Sequence, residues 1–254
     1  MKKFLMASVM ILSFAAVTGA QTADWKGFYV GGSLGGALGR AAATTTAVFS
    51  PTGYFAQSSI PVVAEVGAQH PKDNGLAGGI TAGYTRMRGM WLYGVEIDFG
   101  AMGMSGSQTG TAPYPVNPLT TLTITQSVKT NWLLTVRPRI GVVRGKVLYY
   151  LTGGLAITDV NYQEVFTDTF ADCTENGGVK TTKAGWTAGG GIEYQAGSRW
   201  SVKVEYLYAD FGTVSTTSTN LMGFSQPIPF PTNIFTHTAS LHANVIRGGF
   251  NYRF

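Results

Sequence analysis

Eight stretches of this chain alternate apolar and polar side chains residue by residue, and a period of two is the signature of a β-strand with one face in an apolar medium. The clearest covers residues 91–99, where Trp91, Tyr93, Val95, Ile97 and Phe99 share one face and Glu96 and Asp98 the other. Trp132, Leu134, Val136, Ile140 and Val142 oppose Asn131, Thr135, Arg137 and Arg139. Trp200, Val202, Val204, Tyr206 and Tyr208 oppose Ser201, Lys203 and Glu205, while Ile246, Phe250, Tyr252 and Phe254 oppose Arg247, Asn251 and Arg253. The other four stretches lie near residues 28–38, 76–84, 147–158 and 186–194; in the last, Trp186, Ile192 and Tyr194 oppose Thr187 and Glu193.

Alternation alone does not say whether the apolar faces meet a dry core or lipid. The aromatic residues favour lipid. If short turns at Arg88-Gly89, Arg144-Gly145 and residues 195–199 share one side, then Trp91, Tyr93, Tyr194 and Trp200 gather there, and Trp132 and Trp186 gather at the opposite side. Two aromatic girdles flanking an aliphatic band are a membrane-barrel pattern. In lipid the sheet must also close, because an open edge leaves backbone groups unpaired. The expected fold is therefore all-β: a closed antiparallel transmembrane β-barrel of eight strands, with short periplasmic turns and long extracellular loops near residues 39–75, 103–126, 160–183 and 212–239. Pro138 cannot donate a ladder hydrogen bond and predicts a bulge or local break in its strand.

The amino end reads as a secretory signal peptide over residues 1–20: Lys2 and Lys3, an apolar run from Phe4 to Val17, then Thr18-Gly19-Ala20 as a small-residue cleavage site. Residues 21–254 form the barrel. Thirty-four glycines, 12% aromatic and only 12% charged residues suit such a domain. Without Lys2 and Lys3 the formal charge falls from +5 to +3, and the basic residues are scattered, so nucleic acid is not an expected partner. Cys173 is the only cysteine, which excludes an internal disulfide.

The polar strand faces carry Glu96, Asp98, Glu193 and Glu205 against Arg137, Arg139, Lys203, Arg247 and Arg253. Facing inward, these charges either line a narrow pore for small polar solutes or pair and fill the lumen. Eight strands favour filling, since side chains suffice to occupy so small a barrel. Depth along the strands suggests Glu96 with Arg137 and Glu205 with Arg247.

An enzyme at the loop rim is the less favoured alternative. No serine sits in a nucleophile elbow of the Gly-x-Ser-x-Gly kind; His70, His237 and His242, with Asp168, Asp172 and Glu175 available nearby, show no diagnostic spacing, and the three histidines read as solvated loop residues. No catalytic residue, cofactor or metal ligand is expected. The stretch from Leu221 to Pro231 either meets a surface ligand or folds across the barrel mouth.

The carboxyl terminus, with Gly248, Gly249, Phe250, Tyr252 and Phe254, resembles the sorting signal of outer-membrane barrels. The wider chain resembles the porin-family, opacity-type surface antigens of alphaproteobacteria through Trp25-Lys26-Gly27-Phe28-Tyr29-Val30-Gly31-Gly32, residues 150–156, residues 185–194 and Trp200 to Tyr208. The resemblance covers the strands and fades in the loops. It implies an outer-membrane location, a structural or surface-interaction role, and no catalytic residues. The expected partners are outer-membrane lipid and lipopolysaccharide, the barrel assembly machinery through the last strand, and a possible surface ligand at the long loops.

Overall fold

The alternating stretches become the staves of a closed ring. The computed structural model describes residues 24–224 and 228–254; the expected signal peptide lies outside them. In chain order the strands are β1 (Gly27–Ala47), β2 (Lys72–Arg88), β3 (Trp91–Tyr114), β4 (Asn117–Lys129), β5 (Trp132–Arg144), β6 (Val147–Asp168), β7 (Thr174–Gln195), β8 (Trp200–Ser218), the two-residue β9 (Met222–Gly223) and β10 (Ile228–Pro229), and β11 (Phe235–Arg253). Strand β3 pairs with β5 from Trp91 to Ala101 and with β4 from Ser105 onward. Strand β6 does the same from its other side. Strands β4 and β5 thus lie end to end as one broken stave, and eight staves close when β11 pairs with β1.

The break has a chemical repair and a consequence for facing. Asp159 accepts hydrogen bonds from the backbone of Asn131 at 2.8 Å and of Trp132 at 3.2 Å, replacing ladder partners lost at the joint. Below it odd-numbered residues point inward (Leu133, Thr135, Arg137, Arg139); above it even-numbered ones do (Leu122, Ile124, Gln126, Val128). Pro138 produces no bulge. Its strand stays in register with β3, whereas pairing to β6 skips Arg137 and Pro138 and resumes at Arg139 opposite Thr152. The Thr152 hydroxyl donates to the Pro138 carbonyl at 2.9 Å, so the proline costs the ladder a local break on one side only.

The wall runs far beyond the expected strand ends. Strands β1, β3, β6 and β7 hold 21, 24, 22 and 22 residues, about twice the 9–11 that cross a membrane. Much of the expected loop at residues 39–75, 103–126, 160–183 and 212–239 is therefore barrel wall, and the connections shrink to residues 48–71, 115–116, 169–173 and 219–234. The reason is an inversion of polarity. In the upper half the outward face carries threonine pairs, Thr44 with Thr238 at 2.6 Å, Thr109 with Thr125 at 2.9 Å and Thr111 with Thr123 at 3.0 Å. The inward face there is largely apolar, with Ala41, Met104, Ile124, Phe166 and Phe235 buried, although Gln126, Glu164, Glu175 and His237 are buried on it as well. Lipid selects the lower pattern and water the upper one.

The connection after β1 fills the mouth of this upper barrel. It carries a short 3-10 turn (Gln57–Ser59) and helix α1 (Ile60–Gly67), which has proline in its first turn, where no backbone donor is missed. Val63 and Val66 of α1 and Phe55 pack against Tyr114, Leu122, Phe166 and Phe235 from the wall. Gln126 donates from Nε2 to the Gly67 carbonyl at 2.6 Å, and Gln69 donates to the Ile124 carbonyl at 2.9 Å, tying the helix end to β4. A Cβ on Gly67 would collide with the Thr45 carbonyl, so the helix can approach β1 this closely only with glycine there.

Candidate functional site

The lower barrel is dressed for lipid. Trp91, Tyr93, Tyr194 and Trp200 stand outward at the short-turn end, where Trp200 meets Tyr252 at 5.0 Å and Phe28 meets Tyr84 at 4.7 Å. Trp132 and Trp186 stand at the other end, against Phe99 at 6.3 Å and Tyr208 at 5.4 Å. Along β3 and β8 the two belts are eight residues apart, about 27 Å of strand, or about 20 Å of depth at a tilt of about 40°. The outward aliphatic residues between them include Val204, 63% exposed, and Leu151, 68% exposed.

Level with that band, the lumen holds an ionic layer. Arg137 on β5 is fully buried and lies among three carboxylates: Glu96 at 2.6 Å and Asp98, both from β3, and Glu205 from β8 at 2.8 Å. Arg139 reaches Glu96 at 2.9 Å and Glu193 of β7 at 2.8 Å. Lys203 reaches Glu96 at 3.0 Å, and Arg247 of β11 reaches Asp98 at 2.8 Å and Glu205 at 3.2 Å. Four cations thus face four carboxylates. Neutral donors complete the layer: Tyr29 to Glu96 at 2.8 Å, Ser201 to Glu193 at 2.5 Å and Asn251 to Glu193 at 2.8 Å. Both pairs suggested by depth, Glu96 with Arg137 and Glu205 with Arg247, are in contact, and each member has further partners. Arg253 is apart from the carboxylates, with its guanidinium 5.0 Å from the Trp25 ring at the periplasmic end.

Glycine makes room for this layer. At Gly35 a Cβ would strike the backbone of Ile246 and Arg247, so β1 and β11 can approach one another only without a side chain there. Beneath the layer Trp25, Leu92, Leu148 and Tyr150 pack together. Above it Ala37, Met102, Leu133, Leu207 and Val245 belong to a larger apolar cluster.

The family model described as "Outer membrane protein beta-barrel domain" matches residues 6–254. The chain belongs to that family. This outer-membrane barrel is 29% identical over 252 residues to the 31 kDa outer-membrane immunogenic protein of Brucella melitensis, covering 98% of this chain and 92% of that one. It is 29% identical over 137 residues to the 22 kDa outer membrane protein of Rhizobium leguminosarum, covering 54% of this chain and 53% of that one. Among solved structures, the Neisserial surface protein A aligns over 89% of this chain and 97% of its own, with 12% identity and a TM-score of 0.36. The outer membrane protease OmpT of Escherichia coli aligns over 90% and 97%, with 11% identity and a TM-score of 0.41. The barrel's place is the outer membrane.

The histidines divide in a way the sequence did not disclose. His70 is exposed, and His242 is partly exposed on the outer face beside Tyr208 and Asp210. His237, expected to be solvated, is fully buried inside the upper barrel. It falls within the expected loop at residues 212–239, and its inward direction follows only from the extension of β11 to Phe235. Asp168 is buried as well and accepts hydrogen bonds from the hydroxyls of Tyr54 at 2.5 Å and Tyr114 at 2.8 Å. The free thiol of Cys173 is buried beneath the same cap. From the stretch expected to meet a ligand or cover the mouth, Leu221 and Phe230 pack inward while Phe224 and Ile228 are exposed.

Proposed function

We propose that this outer-membrane barrel serves envelope structure and surface interaction, with a lumen that passes no solute. The observation that carries the reading is Arg137, wholly buried at mid-depth and held by carboxylates from two separate strands, with apolar layers on either side. A conducting lumen needs water along its length, and side chains can fill an eight-stranded barrel. The cap formed by Phe55, α1 and Leu221 supports the same reading at the extracellular end.

Interaction would fall to the rim above the Thr-covered wall. Phe49, Leu119, Phe170, Phe224 and Ile228 are exposed around the mouth, and exposed apolar groups at the rim of a rigid scaffold suit contact with a surface ligand or lipopolysaccharide. The girdles would contact outer-membrane lipid. The terminal β11, with Phe254 directly after it, would meet the barrel assembly machinery; deleting Phe254 is expected to lower the yield of heat-modifiable folded barrel in cells, measured by gel mobility.

The direct test is conductance. Protein purified from outer membranes, with folding checked by its heat-sensitive mobility, is expected to show no steady channels in planar bilayers. Reproducible unitary currents from folded protein would overturn the closed-lumen reading and favour a narrow pore.

A further inference from the structure

Three side chains from three strands meet in the upper barrel, beyond the lipid band: Glu164 of β6, Glu175 of β7 and His237 of β11. All three are fully buried. His237 lies between the carboxylates, with Nδ1 3.7 Å from Glu164 Oε2 and Nε2 3.6 Å from Glu175 Oε1. One ligand atom from each lies within 4.8 Å of the others. We propose that Glu164, Glu175 and His237 form a site for one divalent cation of the zinc class.

The second, independent observation is Glu164 itself. Neither of its carboxylate oxygens has a hydrogen-bond partner among the described residues, and a buried carboxylate without a donor is costly. Its neighbours are already engaged: Ser218 donates to Glu175, and Thr45 Oγ1 and Ser218 Oγ lie 3.1 and 2.8 Å from the His237 ring nitrogens. Two carboxylates brought together this deeply in the barrel make a site whose charge one divalent ion would balance.

The donor set selects the ion. Imidazole with carboxylates suits zinc and its first-row neighbours, whereas calcium and magnesium want six or more oxygens or retained water. Donors about 2.1 Å from one ion stand at most about 4.2 Å apart, so side-chain movements of about an ångström bring the three donors onto one ion and leave a fourth position for water. The imidazole has a seat made for it, because a Cβ on Gly177 would collide with its ring and only glycine leaves the space. Phe235 stacks on the imidazole at 6.1 Å and an interplanar angle of 6°, fixing its plane.

The experiment is a zinc titration of full-length barrel purified in detergent, stripped with chelator and refolded with or without zinc, in competition with a chromophoric chelator. Wild type is expected to bind about one equivalent and to melt at a higher temperature with zinc; magnesium should do neither. Glu164→Gln and His237→Gln are each expected to weaken zinc binding by more than about tenfold. Glu164→Gln should also fold at least as well as wild type without metal, since the amide removes the charge problem, and should gain nothing from zinc. If His237→Gln fails to fold, Glu164→Gln decides alone. Absence of zinc binding by folded wild type, or wild-type affinity in Glu164→Gln, overturns the proposal.

Discussion

Arg137→Ala is expected to destabilise the barrel by about 3–5 kcal/mol, the usual cost of removing one partner from a buried ionic cluster. The guanidinium touches Glu96, Asp98 and Glu205, and all three carboxylates would be left in a lumen with one cation fewer. Lys203 still reaches Glu96, and Arg247 still reaches Asp98 and Glu205, so the layer is weakened rather than emptied. The check is the urea midpoint in lipid vesicles, read by tryptophan fluorescence and gel mobility. A double variant, Arg137→Ala with Glu205→Gln, should recover part of the loss, because removing one unpaired charge relieves the other. A shift below about 1 kcal/mol for the single variant, on the scale of an exposed ion pair, would show that water reaches the layer and would also undermine the closed lumen.

The second large effect concerns the outer face. Val204 lies midway between Trp200 and Tyr208 on β8 and points outward. Val204→Arg is expected to cost about 2–4 kcal/mol, the penalty for a cation at the midplane of a membrane barrel. Thr109→Lys, outward on β3 but above the upper girdle, should cost less than about 0.5 kcal/mol, because that surface faces water. The contrast matters more than either value. Equal penalties would move the lipid boundary upward along the wall; no penalty at Val204 would remove the band from its position between the girdles.

The difference between these two positions also explains where sequence reading stopped. Trp91 to Phe99 and Trp200 to Tyr208 were legible because lipid demands large apolar groups on every second residue and aromatics at both interfaces. Residues 103–126 carry the same period with its polarity reversed, threonine and serine outward and methionine or isoleucine inward. Such a stretch has the composition of a loop. The signs and depths of Glu96, Arg137, Glu205 and Arg247 were legible for the same local reason, but the sharing of Arg137 among three carboxylates was not.

Alternation within each strand therefore determined the fold class, the strand number, the membrane face and the inward charges of this protein, since strand periodicity and lipid matching are properties of a few consecutive residues. Tertiary structure decided the rest. The one-residue change of face between Thr130 and Leu133, the seating of α1 in the mouth, and the meeting of Glu164, Glu175 and His237 depend on how distant strands are registered. Register is a property of the closed ring, set when all eight staves satisfy their hydrogen bonds together.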